Sequence, residues 1–181
     1  MFANFHQTLK FSLFAWLVTF SIFANATAST AAQFHVERIG QYQHPNTAGE
    51  RKVYVLHETK GYLQKLGQEI GVRSLAIVDD SSFLLVDPGP DATYTQALIS
   101  ALRKIEHRLR NHPDVIINSV ARPEHALGNS TVSSSHTKIY ATRITQANMV
   151  ERCPNCRKRL AESLNNFELA KTTIQTPEFV I

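Results

Sequence analysis

Two short stretches of the sequence place acidic or imidazole side chains soon after strongly apolar runs. In LLVDPGP, Asp87 directly follows three apolar residues, and in VIINSVARPEHALGNS, Glu124 and His125 follow a second apolar run at a short distance. Carboxylates and imidazoles exchange protons and bind metal ions. Because open α/β sheets bind their ligands beyond the C-terminal ends of the strands, the two stretches predict a site at one edge of such a sheet.

The elements that would position these side chains follow from the apolar patterns around them. KVYVLHE alternates as a strand does, and RSLAIVDDSSFLLVDPG predicts a hairpin of two buried strands with its turn at residues 79–82. Asp91 is then a possible N-cap of a helix whose apolar stripe runs from Tyr94 to Leu109. DVIINSV and TKIYAT are two further strands, and the loop with Glu124 and His125 lies between them.

The remaining segments give weaker signals. Residues 33–50 are polar and are expected to be extended, and residues 59–71 form a glycine-punctuated connection. A helix begins near Thr142, and Pro154 is expected to interrupt or restart it. The tail from Phe167 has weak strand character. This alternation of strands and helices predicts one α/β domain with a layered sheet.

The N-terminal residues have a different character. MFANFHQTLK contains one cation, FSLFAWLVTFSIFA is an uninterrupted apolar run, and NATASTAA supplies small residues. The apolar run is shorter than the roughly 18 residues of a spanning helix. We therefore expect residues 1–28 to be a signal peptide cleaved between about residues 26 and 33. Residues 33–181 would then form a single secreted or periplasmic domain without a stable membrane span.

The composition argues against a nucleic-acid partner. The formal net charge is only +4, and the basic residues are scattered rather than interleaved with aromatic stacking positions. The sequence also contains no glycine-rich phosphate loop and no nucleophile elbow.

Taken in order, with a helix between them, the two stretches resemble the N-terminal half of the metallo-β-lactamase fold superfamily. In that superfamily the first strand ends in an Asp-x-Gly turn, matched here by Asp87 to Gly89, and the second is followed by Thr-His-x-His-x-Asp-His and a glycine. The sequence is most similar to the periplasmic branch of quinoprotein relay system zinc metallohydrolases, whose motif is like NTHVHPDHVLGN. The positions that match this motif without gaps are Asn118, Pro123, His125, Leu127, Gly128 and Asn129.

The resemblance covers about residues 51–173 and carries expectations for fold and chemistry. It implies the N-terminal half of an αββα sandwich, with a mixed sheet and helices on one face. It also implies zinc as the cofactor and zinc-dependent hydrolysis of an ester-, thioester- or amide-like carbonyl.

This sequence departs from the motif at the positions where the resembling proteins bind zinc. Val120 stands at the first ligand position and has no lone pair, and Arg122 stands at the second and is a permanent cation. Glu124 replaces an aspartate, and His125 is retained. The resemblance therefore leaves His125 and Asp87 as residual metal ligands and Glu124 as the candidate catalytic residue. We expect a degenerate site in which zinc is absent or weakly bound.

Two interpretations of Arg122 remain open. Its guanidinium could occupy the place of the metal charge and pair with Glu124 or Asp87, which would keep the loop folded without zinc. Alternatively, it could extend into solvent.

The resemblance also bears on partners. The C-terminal half of the superfamily domain, with its further ligands, is expected to be missing from this chain. We therefore expect either a homodimer or another chain that supplies the missing half, and a quinoprotein dehydrogenase system is the partner that the branch implies.

Cys153 and Cys156 form the only cysteine pair, in the order Cys-Pro-Asn-Cys. In an exported protein the pair could form a local disulfide, or paired thiols could cap a break in the helix. The same spacing occurs in thioredoxin-like redox motifs, but those follow a strand directly, whereas helical residues precede Cys153 here.

Three functions remain open from the sequence. The first is an exported relative of zinc-dependent hydrolases that has an accessory or binding role. The second is an active hydrolase with a zinc site that is reduced or completed by a partner. The third is a thiol redox protein that acts through Cys153 and Cys156.

Overall fold

The computed structural model describes residues 32–43, 49–60, 72–163 and 165–181. The predicted signal peptide, residues 1–28, lies outside these ranges, as does most of the predicted connection at residues 59–71. Within the described ranges, every helix is too short or too polar to cross a bilayer.

The described residues form one mixed sheet whose seven strands lie side by side in chain order. The first four strands are antiparallel, and the fifth to seventh are parallel to the fourth. This arrangement confirms the predicted α/β class and the mixed sheet. The strands are β1 (Gln33–Gln43), β2 (Glu50–Lys60), β3 (Arg73–Val78), β4 (Phe83–Val86), β5 (Val115–Asn118), β6 (Lys138–Ala141) and β7 (Phe179–Val180).

The helices lie in the connections between the parallel strands. They are α1 (Ala92–Arg103), α2 (Pro123–Ala126), α3 (Asn129–Val132), α4 (Arg143–Ser163) and α5 (Phe167–Lys171). Asp91 is the N-cap of α1, as predicted, because its carboxylate accepts a hydrogen bond of 2.8 Å from the backbone N–H of Tyr94. The segment after β5, predicted as a loop, contains two single helical turns, and Pro123 begins the first of them.

One face of the sheet and the apolar stripe of α1 form the main core. Strand residues alternate between two faces, and the alternate residues of β2 to β6 on this face are fully buried against the helix. The members contributed by the strands are Tyr54, Leu56, Ala76, Val78, Phe83, Leu85, Ile116 and Ile139, and those contributed by α1 are Tyr94, Leu98, Ile99 and Leu102. The helix therefore fixes the positions of β4 and β5, the two strands that lead into the candidate site.

The structure differs from the sequence-based expectation in the extended N-terminal segment, which is a paired strand, and at the end of α1. Residues 33–43 form an edge strand, β1, whose polar outer face hid its pairing with β2. The helix α1 ends at Arg103 rather than near Leu109. No glycine or proline marks this early end in the sequence, and in the turn that follows the helix Glu106 forms an ion pair of 3.0 Å with Lys52 of β2.

The C-terminal part also differs from the prediction. The helix α4 continues through Pro154, and the tail forms the short helix α5 before the strand β7. Proline removes one backbone hydrogen bond to the carbonyl four residues earlier, at Val150. Both Pro154 and Val150 are exposed, so water can satisfy that carbonyl without a break in the helix.

The N-cap gives a first test of the fold. Changing Asp91 to Ala removes the acceptor for the Tyr94 N–H, and we expect a loss of about 1 kcal/mol in the free energy of unfolding, measured by urea denaturation. Asp91→Asn is the matched control, because an amide oxygen caps a helix nearly as well. Equal stabilities of Asp91→Ala and the unchanged protein would contradict the capping role.

Candidate functional site

The candidate site lies where the chain leaves β4 and β5. Asp87 directly follows β4, has a positive φ of 54°, and is 4% exposed. Its backbone N–H donates to the carbonyl of Ile117 at 3.0 Å, and its carbonyl accepts from the Ser74 hydroxyl at 2.6 Å. Aspartate is one of the few residues that adopt this left-handed conformation readily. The backbone at Asp87 is therefore held by both neighbouring strands.

The carboxylate of Asp87 connects the end of β4 to the segment after β5. It accepts hydrogen bonds from the backbone N–H of Ser119 at 2.8 Å and from the Ser119 hydroxyl. The Nδ1 atom of His125 lies 3.2 Å from the same carboxylate. The structure thus brings Asp87 and His125 together at the sheet edge where the sequence placed them.

Two glycines allow the turn after Asp87 to contact the segment that carries His125. The N–H of Gly89 donates to the carbonyl of His125 at 3.1 Å, and the N–H of Gly128 donates to the carbonyl of Gly89 at 2.8 Å. A β-carbon on Gly128 would lie 2.2 Å from the Thr95 hydroxyl oxygen, and one on Gly89 would lie 2.2 Å from the Tyr94 ring. Gly89 also has a φ of 107°. Gly128, a matched motif position, therefore allows the backbones of the two segments to pack closely.

A buried pair of amide side chains stabilises the segment after β5. The side chains of Asn118 and Asn129 exchange two hydrogen bonds, of 3.0 and 2.8 Å, and both residues are at most 1% exposed. The amide nitrogen of Asn129 also donates to the backbone carbonyl of Gln175 at 2.9 Å. Buried amides are tolerated when their hydrogen bonds are satisfied in this way, so the pair joins β5, α3 and the C-terminal tail.

The other motif positions do not converge on Asp87. Val120 is 37% exposed, and Arg122 is exposed at the N-cap of α2 without a side-chain capping bond. Among the ion pairs of the described residues, Asp87 pairs with His125, and Arg122 takes no part. The proposed Arg122 to Asp87 or Glu124 pair is therefore wrong, and the solvent-exposed alternative is the one observed.

Glu124, the candidate catalytic residue, is half-buried on α2. Its charge makes a small contribution to the raised pKa of the Cys153 thiol on α4.

The side chains at this edge do not fit the zinc centre that the resemblance implies. Structural and catalytic zinc sites use three or four N, O or S ligands. Here both carboxylate oxygens of Asp87 already accept hydrogen bonds, Val120 offers no donor atom, and Arg122 offers only a cation. Across the part of the chain that the structure describes, no group of three or more His, Cys, Asp and Glu side chains is arranged for a metal ion.

Cys153 and Cys156 lie in the middle of α4 as free thiols, which, of the two alternatives left open by the sequence, excludes the local disulfide. Cys153 is fully buried in a small cluster with Ala126 and Met149. Burial, with smaller contributions from Cys156 and Glu124, raises the pKa of the Cys153 thiol to about 11. Reactive cysteines need a lowered pKa and access to solvent, so Cys153 is poorly suited to redox catalysis.

Sequence reasoning missed Ser119 and the hydrogen-bonding role of Asn118 and Asn129. The Ser119 contact could have been inferred from strand pairing, because Ile117 lies opposite Val86 in parallel register. Asp87 directly follows Val86, and Ser119 lies two residues after Ile117, so both residues lie at the same edge of the sheet.

Comparison with known proteins supports the fold. Neither protein-family models nor curated protein sequences give a match. Among solved structures, the chain is similar to a metallo-beta-lactamase from Pontibacter korlensis, with a TM-score of 0.51 and 13% identity over 82% of this chain and 53% of that one. The metallo-beta-lactamase FIM-1 from Pseudomonas aeruginosa in its mono-zinc form gives 0.47 and 13%, over 71% and 46% of the two chains. A metallo beta lactamase from Hirschia baltica gives 0.41 and 9%, over 80% and 52%.

At these identities the likeness concerns the fold. The predicted class, part of a metallo-β-lactamase fold, is confirmed by the first of these structures. The chain spans about half the length of the solved structures that it matches.

The carboxylate of Asp87 gives a test of the site as a structural clamp. We expect Asp87→Ala to lower the free energy of unfolding by about 2 to 4 kcal/mol, because it removes the acceptor shared by Ser119 and His125 and places alanine in a left-handed conformation. Asp87→Asn should cost less, since asparagine tolerates this φ and keeps one acceptor oxygen. Urea denaturation measures both, and equal losses for the two variants would contradict the clamp.

The two thiols should differ in reactivity. At pH 7, a thiol pKa of about 11 gives Cys153 a thiolate fraction roughly 100-fold below that of a thiol at its ordinary value of 9.0. Iodoacetamide should therefore label the half-buried Cys156 first, as followed by peptide mass spectrometry. Denatured protein, in which both thiols react, is the control. Faster labelling of native Cys153 would revive the redox hypothesis.

Proposed function

We propose that this chain is an exported protein of metallo-β-lactamase fold that has a degenerate metal site and an accessory or binding role. The observation that carries the proposal is that the Asp87 carboxylate is already hydrogen-bonded to protein groups. It holds Ser119 and His125 in a protein-only network, and the two expected ligand positions carry Val120 and Arg122.

The network explains how the active-site loop can remain folded without a metal ion. A buried carboxylate requires hydrogen bonds or a positive partner. The Ser119 N–H and hydroxyl provide the hydrogen bonds, and His125 can provide the positive partner when it is protonated. The loop geometry is then independent of the ligands that the resembling zinc proteins use.

The exposed side chains of the loop favour binding over hydrolysis. Arg122 has an extended backbone at the start of α2, and its side chain is exposed. A guanidinium in such a position can form two parallel hydrogen bonds to a carboxylate of another molecule. Beside it, Val120 offers a partly exposed apolar contact. We propose an acidic site on an extracytoplasmic partner, and a quinoprotein dehydrogenase system is the candidate that the sequence resemblance supplies.

A second candidate is a hydrolase with a reduced metal site formed by His125, Asp87 and Glu124. The distance of 3.2 Å between His125 and Asp87 favours it, because two potential ligands already lie together. It requires Asp87 to exchange its hydrogen bonds with Ser119 for a metal ion.

Metal analysis separates the two candidates. We expect the purified protein, incubated with zinc and then desalted, to retain far less than one zinc ion per chain, because its donor set is incomplete. Hydrolysis of a generic thioester should remain at the background rate. Elemental analysis and an absorbance assay measure these two quantities.

Two variants serve as matched controls. His125→Ala should leave the low zinc content unchanged, whereas the double variant Val120→His and Arg122→His supplies imidazoles two residues apart and should retain more zinc than the unchanged chain. Stoichiometric zinc in the unchanged protein that is lost in His125→Ala would overturn the proposed degenerate site and support the reduced hydrolase.

A further inference from the structure

The face of the sheet opposite α1 carries two continuous rows of apolar side chains. We call these rows the open face. The row nearer the candidate site consists of Val55, Leu75, Val86, Ile117, Tyr140 and Phe179, and the other row consists of Val53, Ile77, Leu84 and Val115.

The strand register shows that the rows are continuous. In the row nearer the site, each residue lies directly opposite the next on the neighbouring strand, from β2 to β7. The row ends in a stacked aromatic pair, Tyr140 and Phe179, whose ring centroids are 4.9 Å apart. Lys138 lies opposite Val115 and ends the other row with a positive charge.

The open face has no cover among the described residues. Its side chains are partly exposed, although their neighbours on the α1 face of the same strands are fully buried. None of its members belongs to, or packs against, the buried clusters of the described chain. Antiparallel strands with one solvated face normally alternate apolar and polar residues, whereas strands buried on both faces are apolar throughout. RSLAIV, FLLV and VII follow the second pattern.

We propose that the open face binds the open face of a second copy of this chain. The face presents apolar rows that run across neighbouring strands, so it can complement itself, and a two-fold axis would place each row of one copy against a row of the other. Sheets pack in this way at about 10 Å, with the side chains of the two faces interdigitated.

The two apolar rows supply the central area of a dimer interface. Ten side chains in two rows, about 4.8 Å apart across the strands and about 6.8 Å apart along them, give a flat footprint of roughly 330 Å², and the polar side chains at the border add to it. A standard interface buries about 800 Å² of accessible surface on each partner, and the accessible surface of a side-chain layer exceeds its flat footprint.

The charges at the border fit self-association. Glu37 lies opposite Val55 on the β1 side of the face, and Arg73 and Lys138 lie at its two ends. Because both signs are present at separate places, a two-fold arrangement can bring opposite charges together at the rim.

The proposal is independent of zinc and goes beyond the proposed function. Asp87 directly follows Val86 of the open face, so the partner copy would lie beside the candidate site. The open face contains none of the candidate metal ligands, so the result of the association test does not depend on whether the site binds a metal ion.

The test combines analytical ultracentrifugation with thermal unfolding of the purified protein, whose N terminus is established by mass spectrometry. At about 10 µM the unchanged protein should have the mass of two chains, and its Tm should rise with protein concentration, because dissociation accompanies unfolding. Ile77→Lys places a charge in the centre of the face and should weaken association at least 10-fold. Val150→Lys, at a position 63% exposed on α4, should leave association unchanged.

The outcomes are distinct. A monomer with a concentration-independent Tm overturns the proposal, even if Ile77→Lys fails to fold. A stable complex in which a different chain covers the face, or a monomer in which residues 11–24 cover it, also overturns it. A dimer that survives Ile77→Lys while that variant retains the far-ultraviolet spectrum of the unchanged protein shows that another surface is used.

Discussion

The geometry of the candidate site depends on one buried carboxylate. Asp87 is almost inaccessible to water, and an uncompensated charge in such a place is costly. Ser119 and His125 are the groups that complement it, and each comes from the segment after β5. The need to satisfy this carboxylate therefore determines how the ends of two neighbouring strands meet.

The surrounding packing transmits that constraint to the rest of the domain. Gly89 and Gly128 permit backbone contact between the two loops because no β-carbon would fit beside Thr95 or Tyr94. Both of those residues belong to α1, the helix that packs against one face of the sheet. The Asn129 amide extends the same network to the C-terminal tail. The loop is thus supported by the helix, the sheet and the tail together.

The sequence predicted the features whose causes are local. Apolar runs located the β3 to β4 hairpin and the strand β5, and Asp91 located the start of α1. The edge strand β1 was missed because its pairing depends on β2 rather than on its own pattern. The turn after α1 pairs Glu106 with Lys52, which is distant in sequence and is not marked by any local pattern. At the site, the closeness of Asp87 and His125 followed from strand order, whereas the orientation of Arg122 depended on packing that a sequence motif does not specify.

Under the proposed function, the same separation of causes explains how a fold can outlast its metal site. The positions of Val120 and Arg122 are exposed, so substitutions there change the chemistry of the loop at little cost to packing. Asp87, Gly89 and Gly128 are held by buried contacts, and a change at any of them would disturb both loops. Ligand positions that face solvent are therefore free to change while the frame beneath them is retained. A motif with its frame intact and its ligands replaced is the sequence pattern that this physical difference produces.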